Sequence, residues 1–134
     1  MNQAILQFVR ASYGVTAAAL SLRIRGFARS CSSLLTLPDA GVRTTMDVQA
    51  LITAYRRTDG RLPWSTCLTR SLALCRTLRR ARLPAALRLG VSKQGTGLHA
   101  HAWVELDGQA LESVGHLTPL PLFDPAFVDS ESRP

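Results

Sequence analysis

The chain has 134 residues and a net charge of +7, with 46% apolar and 19% charged residues. These totals indicate one folded domain with a core of ordinary size, and they exclude a disordered chain. Arginine supplies nearly all of the positive charge, since Lys93 is the single lysine. Arginine prefers carboxylate and phosphate partners. The charge balance therefore indicates an acidic peptide, a nucleic acid or an anionic lipid as a partner, without choosing among them.

The first 37 residues contain no acidic residue and hold four arginines: Arg10, Arg23, Arg25 and Arg29. A secretory signal would place charge before an apolar run, which this segment does not. The run over 14–27 is too short and too interrupted to span a bilayer. The composition fits a transit peptide or a basic amphipathic helix, and we favour a helix of the mature domain without stable membrane insertion. Residues 1–40 are predicted to form a helical lead-in to a core over 41–134, within one compact domain.

The N-terminal half of the chain has helical spacing. Residues 2–13 and 15–29 are predicted to form one or two helices, with Gly14 and Gly26 as breaks, followed by a loop over 37–41. Apolar residues then recur at helical intervals between Thr45 and Arg57, and Thr45 is the expected N-cap.

The next predicted helix carries Cys67 at its start. Ser65 or Thr66 can cap it. One apolar stripe runs along this helix: Leu68, Leu72, Cys75 and Leu78. The helix should end near Arg82, because Pro84 disfavours a helical conformation at the preceding residue.

The remainder of the chain has strand character. Strands are predicted over 86–92 and 98–106, joined by a turn over 95–97. Asp107-Gly108 is a strong hairpin signal, and residues 109–114 form the return strand. After Gly115 the prolines predict an extended segment. Helices followed by an antiparallel meander place the chain in the α+β class.

Three cysteines are present: Cys31, Cys67 and Cys75. On one helix Cys67 and Cys75 would lie about 12 Å apart at a rise of 1.5 Å per residue, too far for a disulfide. A reducing cytosol fits best. Cys67 is either a buried apolar side chain or a nucleophile, since the free N–H groups of a helix N-terminus stabilise a thiolate. Cys75 is expected to be a small buried hydrophobe.

A nucleophilic cysteine needs an imidazole within hydrogen-bond reach and a third group that orients it. The candidates are His99, His101 and His116. His99 and His101 share one face of a predicted strand, but no further ligand stands at metal-binding spacing. We therefore expect neither a metal nor an organic cofactor.

Two motifs together make the sequence familiar: "CLTRSLAL" from Cys67 and "AHAWVE" from Ala100. In combination they resemble the stand-alone leader peptidases of lasso-peptide biosynthesis, the microcin-processing type within the bacterial transglutaminase-like superfamily. The resemblance covers residues 62 to about 115, whereas the first 40 residues match only in general character.

The resemblance implies a papain-like, transglutaminase-like fold, in which a cysteine-bearing helix packs on a small antiparallel sheet. It implies Cys67 as the nucleophile and His101 as the catalytic histidine, while His99 matches no catalytic position. The implied activity is cysteine-peptidase cleavage that removes the leader of a ribosomally made precursor peptide. The implied partners are that precursor, a separate leader-recognition protein and the macrolactam synthetase.

The sequence departs from the family at the third catalytic group, because Ser113 stands where many members have an aspartate. A two-residue turn at Asp107-Gly108 would pair Trp103 with Glu112 and bring Glu112 to the His101 face. A three-residue loop would instead pair His101 with Ser113. We favour Glu112 as the orienting group, with Ser113 or a backbone carbonyl as the alternative.

Three other functions compete with peptide cleavage. The same Cys–His pair could transfer an acyl group to an amine, and a degenerate fold without the carboxylate could only bind the precursor. A nucleic-acid binder is disfavoured, because charge without a recognisable motif is weak support.

Several side chains have a structural and a functional interpretation. Trp64 and Trp103 are expected to pack in the core rather than stack on substrate, and Glu105 to be a solvated or paired strand residue. The arginines over 76–82 form either a solvated helix face or a docking surface for an acidic leader or the recognition protein.

Overall fold

The computed structural model describes residues 2–35, 46–94, 96–112 and 118–119. Within these ranges the chain forms four helices: α1 (Gln3–Arg25), α2 (Phe27–Leu35), α3 (Val48–Arg56) and α4 (Cys67–Arg80). Four strands follow: β1 (Ala85–Gln94), β2 (Gly97–Leu106), β3 (Gln109–Ala110) and β4 (Thr118–Pro119). Helices precede an antiparallel sheet along the chain, which confirms the predicted α+β class.

The sheet has the order β3-β2-β1-β4, and every neighbouring pair is antiparallel. β1 and β2 form its centre and pair over ten residues, from Ala85 opposite Leu106 to Gln94 opposite Gly97. The return strand predicted over 109–114 is shorter in the structure, since only the two residues of β3 pair with β2. Of the segment predicted to be extended after Gly115, the described part is β4, which pairs with β1 at Gly90 and Val91.

α1 is one continuous helix, so the predicted break at Gly14 is wrong. The helix begins after Asn2, whose Oδ1 accepts a hydrogen bond from the Ala4 N–H at 3.1 Å. It ends at Gly26, which has a φ of 81°. A Cβ at Gly14 would lie 3.0 Å from the hydroxyl oxygen of Tyr55. Gly14 therefore serves the close approach of α1 to α3 rather than the end of a helix.

Two other helix boundaries differ from their predictions. The N-cap of α3 is Asp47, whose Oδ1 accepts from the Ala50 N–H at 3.1 Å; Thr45, the predicted cap, lies outside the described residues. α4 ends at Arg80 rather than near Arg82. Arg82 has a φ of 64°, and the N–H of Leu83 donates to the Leu78 carbonyl at 3.0 Å. This backbone geometry is a Schellman motif, with arginine in the position that glycine usually takes.

α4 lies at the centre of the core, where it contacts all three other helices and both long strands. Its buried residues include five apolar side chains: Leu72, Ala73, Leu74, Cys75 and Leu78. Tyr55 of α3 fixes the packing of two helices, because its hydroxyl lies 2.8 Å from Thr77 Oγ1 in α4. The cysteine-bearing helix is therefore held from several sides.

By length and composition alone, α1 could cross a membrane. One of its faces packs against α3 and α4 and buries Ala11, Val15 and Ala18. One such helix is weak evidence of a membrane span, because core helices of soluble proteins and signal sequences can have the same length and composition.

Candidate active site

The loop that precedes Cys67 is held by hydrogen bonds between its own residues. Thr58 is fully buried and its Oγ1 donates to the Tyr55 carbonyl at 2.6 Å. The same oxygen lies 2.8 Å from Ser65 Oγ, which donates to Asp59 Oδ1 at 2.9 Å. The backbone leading into α4 is thus fixed before the helix begins.

Cys67 is the first residue of α4, directly after the N-cap Thr66. Thr66 and Thr69 form a capping box, in which each side chain accepts from the backbone N–H of the other residue, at 3.2 and 2.8 Å. The N–H groups of Cys67 and Leu68 have no carbonyl within the helix to bond. The Cys67 side chain is partly exposed. The prediction that Ser65 or Thr66 caps this helix is confirmed, and the cap is Thr66.

His101 lies on β2 and contacts the carboxylate of Glu112. The distance from His101 Nε2 to Glu112 Oε1 is 3.3 Å. The hairpin register explains this contact, because Leu106 pairs with Gln109 and Glu105 with Ala110. Asp107 and Gly108 therefore form a two-residue turn with φ values of 52° and 78°, as a type I′ turn requires.

This register decides between the two hairpin alternatives. Continued beyond β3, it brings Glu112 opposite Trp103, on the face of β2 that also carries His101. The three-residue loop is excluded. Ser113, the alternative orienting residue, lies outside the described residues.

Arg70 of α4 joins the cysteine helix to Glu112. Its Nη2 lies 3.5 Å from Glu112 Oε2, and its Nη1 pairs with Asp59 in the loop before α4. Arg70 follows Cys67 by three residues, so both lie on one side of the helix. This bridge was not predicted from the sequence. The spacing in "CLTR" was the available signal, but the acidic partners are distant in sequence.

A second contact connects α4 with the histidine strand. Ser71 Oγ donates to the carbonyl oxygen of Ala102, next to His101, at 3.0 Å. Arg70 and Ser71 both lie about one helical turn beyond Cys67. The two contacts thus bring the start of α4 to the segment around His101. No hydrogen bond joins Cys67 to His101 in the part of the chain that the structure describes.

The other two cysteines are fully buried. Burial raises the pKa of Cys31 to about 12, and the neighbouring Cys75 adds to the rise. Burial also raises the pKa of Cys75 to about 11, although Arg79 opposes the shift. Both thiols therefore stay protonated at neutral pH, and the expectation that Cys75 is a buried hydrophobe is confirmed.

The remaining candidates have structural roles or stand apart. Trp103 is 1% exposed, as expected of a core residue, whereas Trp64 is 44% exposed and donates to Thr16 Oγ1 at 2.9 Å. Glu105 pairs with Arg88 at 3.4 Å. His99 is exposed, and His116 lies outside the described residues. The described ranges contain no group of three or more His, Cys, Asp or Glu residues that could hold a metal ion.

The arginines over 76–82 do not form one solvated face. Arg76 is partly buried, and its Nη1 donates to the Leu34 carbonyl at 3.0 Å. Burial, and then the charge of Arg80, lowers the pKa of Arg76. Arg76 and Arg80 line a groove between α1, α3 and α4 together with Arg10, where Asp47 is the one acidic residue among the described lining.

Fold and site together define an α+β domain in which the helix that begins at Cys67 packs against the strand that carries His101. The family model of the transglutaminase-like superfamily matches residues 13–121. The chain belongs to that superfamily, whose members generally include cysteine-dependent enzymes. Comparison with curated proteins gave no significant match, and comparison with solved structures gave none.

Proposed function

We propose that the protein is a cysteine peptidase that removes the leader from a ribosomally synthesised lasso-peptide precursor before macrolactam formation. The observation that carries the proposal is the contact between His101 and Glu112 at 3.3 Å, on the strand segment that touches the Cys67 helix. Membership of the superfamily supports cysteine chemistry. The motifs at Cys67 and His101 support the leader-peptidase type.

In this mechanism Cys67 gives its proton to His101, and its sulfur attacks the carbonyl carbon of the scissile peptide bond. The tetrahedral oxyanion accepts hydrogen bonds from the free N–H of Cys67 at the helix start. The C–N bond then breaks, and His101 returns the proton to the leaving amine. Water attacks the acyl-enzyme, with His101 as the base, and releases the leader with a carboxyl terminus.

Glu112 would orient the imidazole and stabilise its positive charge, as the third member of such a triad does. Arg70 would act as a positioning residue, because it holds the other oxygen of the same carboxylate. Proton transfer requires His101 within hydrogen-bond reach of the thiol. Catalytic pairs that are loose in the free enzyme often tighten when substrate binds.

The proposal includes three partners in the cytoplasm: the precursor peptide, a separate recognition protein that holds the leader, and the macrolactam synthetase that takes up the freed amine. The groove with Arg10, Arg76 and Arg80 supports an acidic segment of the leader or the recognition protein as the group bound there. Nucleic acid is not part of the proposal.

The two enzymatic alternatives differ only in the group that resolves the acyl-enzyme, water for a peptidase and an amine for an acyltransferase. The binding-module alternative depended on a missing carboxylate. Because the carboxylate of Glu112 lies beside His101, a missing carboxylate no longer supports the binding-module alternative.

The test is incubation of the protein with a candidate precursor and its recognition protein, with the products read by mass spectrometry. We expect a free leader acid and a shortened core peptide, and we expect Cys67→Ala to lower the rate by a factor on the order of 10³ or more. Cys75→Ala is the matched control and should cleave at the wild-type rate. Cleavage by Cys67→Ala would refute the mechanism, and a leader joined to an added amine would assign acyl transfer instead.

A further inference from the structure

α1 has two apolar faces, of which the core covers one. The inner face buries small side chains, Ala11, Val15 and Ala18. On the opposite side lie five large side chains, each between 55% and 78% exposed: Ile5, Val9, Tyr13, Leu20 and Ile24. At 3.6 residues per turn these five fall within an arc of about 100° and form a stripe about 28 Å long. We call this set the outer stripe.

Such a stripe is unexpected on the solvent side of a helix, where polar residues normally stand. A contiguous exposed apolar patch marks a surface that something else covers. We therefore expect an apolar partner to cover the outer stripe, and the charges around the stripe indicate the chemistry of that partner.

The charges around the outer stripe are positive. Neither α1 nor α2 contains an acidic residue, and Arg10 and Arg23 are exposed along α1. Arg29 is exposed on α2, which follows α1 after a single glycine. A second copy of this chain would bring the same cations face to face, at a net charge of +7 on each copy. The surface instead fits a partner that is apolar and anionic together.

We infer that the outer stripe binds the surface of an anionic lipid bilayer, with α1 lying parallel to the membrane plane. The side chains of the stripe enter the boundary between headgroups and acyl chains, while the arginines contact the lipid phosphates. Tyr13, in the stripe, and Trp64, hydrogen-bonded to Thr16 beside it, are residue types favoured at that depth. The inner face of α1 stays packed on α3 and α4, so the association is peripheral.

Membrane binding would place the candidate active site near the bilayer. Trp64, three residues before Cys67, is tied to α1 by its hydrogen bond to Thr16. Arg61 of the same loop lies over the ring of Phe8, 5.6 Å from its centroid. The loop that leads to Cys67 is therefore attached to the helix that carries the outer stripe. This inference does not depend on the proposed peptidase activity.

The experiment is co-sedimentation of the full chain with vesicles of phosphatidylcholine alone and with vesicles that contain phosphatidylglycerol. We expect binding to the anionic vesicles, weaker at high salt because the arginine contribution is screened. From the apolar area lost, the double variant Leu20→Gln/Ile24→Gln should bind the anionic vesicles with about one tenth of the wild-type affinity or with a still lower affinity. Both positions are exposed, so its melting temperature should match that of the wild type.

Leu98→Gln is the matched control, because Leu98 is 76% exposed but lies on β2. It should bind as the wild type does. Absence of binding to anionic vesicles, or equal binding by the double variant, would overturn the inference. A double variant that binds vesicles normally but loses precursor cleavage with the recognition protein would assign the outer stripe to a protein partner instead.

Discussion

Two regions of α4 place a cysteine in opposite environments: its start, with Cys67, and its middle, with Cys75 eight residues later. At the start of α4, Cys67 is partly exposed behind a capping box, and Arg70 connects the next turn to Glu112. In the middle of α4, Cys75 is fully buried beside Cys31, and burial raises the pKa values of both thiols. The position of a cysteine along the helix thus decides whether its thiol is available for chemistry or only packs in the core.

The strongest test of this difference is alkylation of the native protein with iodoacetamide at pH 8, with sites read by peptide mass spectrometry. Cys67 should react. Cys31 and Cys75 should react at about one hundredth of the Cys67 rate or more slowly still, because they are buried and protonated. All three should react in denaturant, which serves as the control. Equal native rates at Cys67 and Cys75 would remove the distinction between the two regions.

The next effect concerns the carboxylate at the reactive end. Glu112→Gln should lower kcat for precursor cleavage by roughly tenfold or more with little change in KM, because the imidazolium loses its counter-charge. Glu105→Gln is the matched control, since Glu105 lies on the histidine strand but pairs with Arg88. An unchanged rate for Glu112→Gln would assign the orienting role to another group.

A smaller effect is expected at the bridge between helix and carboxylate. Arg70→Gln should lower kcat roughly threefold to tenfold, because Arg70 and Glu112 form a largely buried charge pair whose loss shifts Glu112. Arg70→Lys keeps the charge and should retain more of the rate at the same melting temperature. Arg29→Gln, at an exposed arginine on α2, should leave kcat for precursor cleavage without lipid unchanged. Equal rates for the Gln and Lys variants would show that the charge of Arg70 does not position Glu112.

The smallest effect is at the buried end and concerns stability. A thiol whose pKa is higher in the folded than in the unfolded state stabilises the fold below the unfolded value, and this contribution is lost as pH rises toward the folded value. With a folded pKa of about 11 for Cys75 and an unfolded value near 8.5, the contribution of Cys75 to the free energy of unfolding should fall by about 1–2 kcal/mol between pH 8 and pH 10. Cys31, whose pKa is also raised, adds a decline of the same sign.

Urea unfolding at several pH values measures this loss of stability. Cys75→Ala should unfold at a lower urea concentration at pH 7 but show a shallower decline with pH. A decline as steep as that of the wild type would mean that Cys75 does not contribute to it.

Local patterns predicted the elements correctly where local physics decides them. The apolar stripe of α4, the Thr66 cap and the Asp107-Gly108 turn all depend on residues within one or two turns of each other. The predicted helix boundaries differed from the structure where a distant contact or an unusual backbone conformation decides where a helix ends. Gly14 looked like a break but accommodates Tyr55, and Arg82 adopts a left-handed conformation that favours glycine.

The sequence by itself determined the helix start at Cys67, the strand at His101 and the superfamily that both motifs indicate. It left open which side chain meets His101, because one residue of register decides between Glu112 and Ser113. Only the tertiary structure resolved this, because the local sequence allows either loop length, and the Arg70 bridge joins residues that lie 42 positions apart in the chain. The exposure of the outer stripe on α1 was likewise a tertiary result, because apolar spacing alone does not reveal which of two apolar faces the core covers.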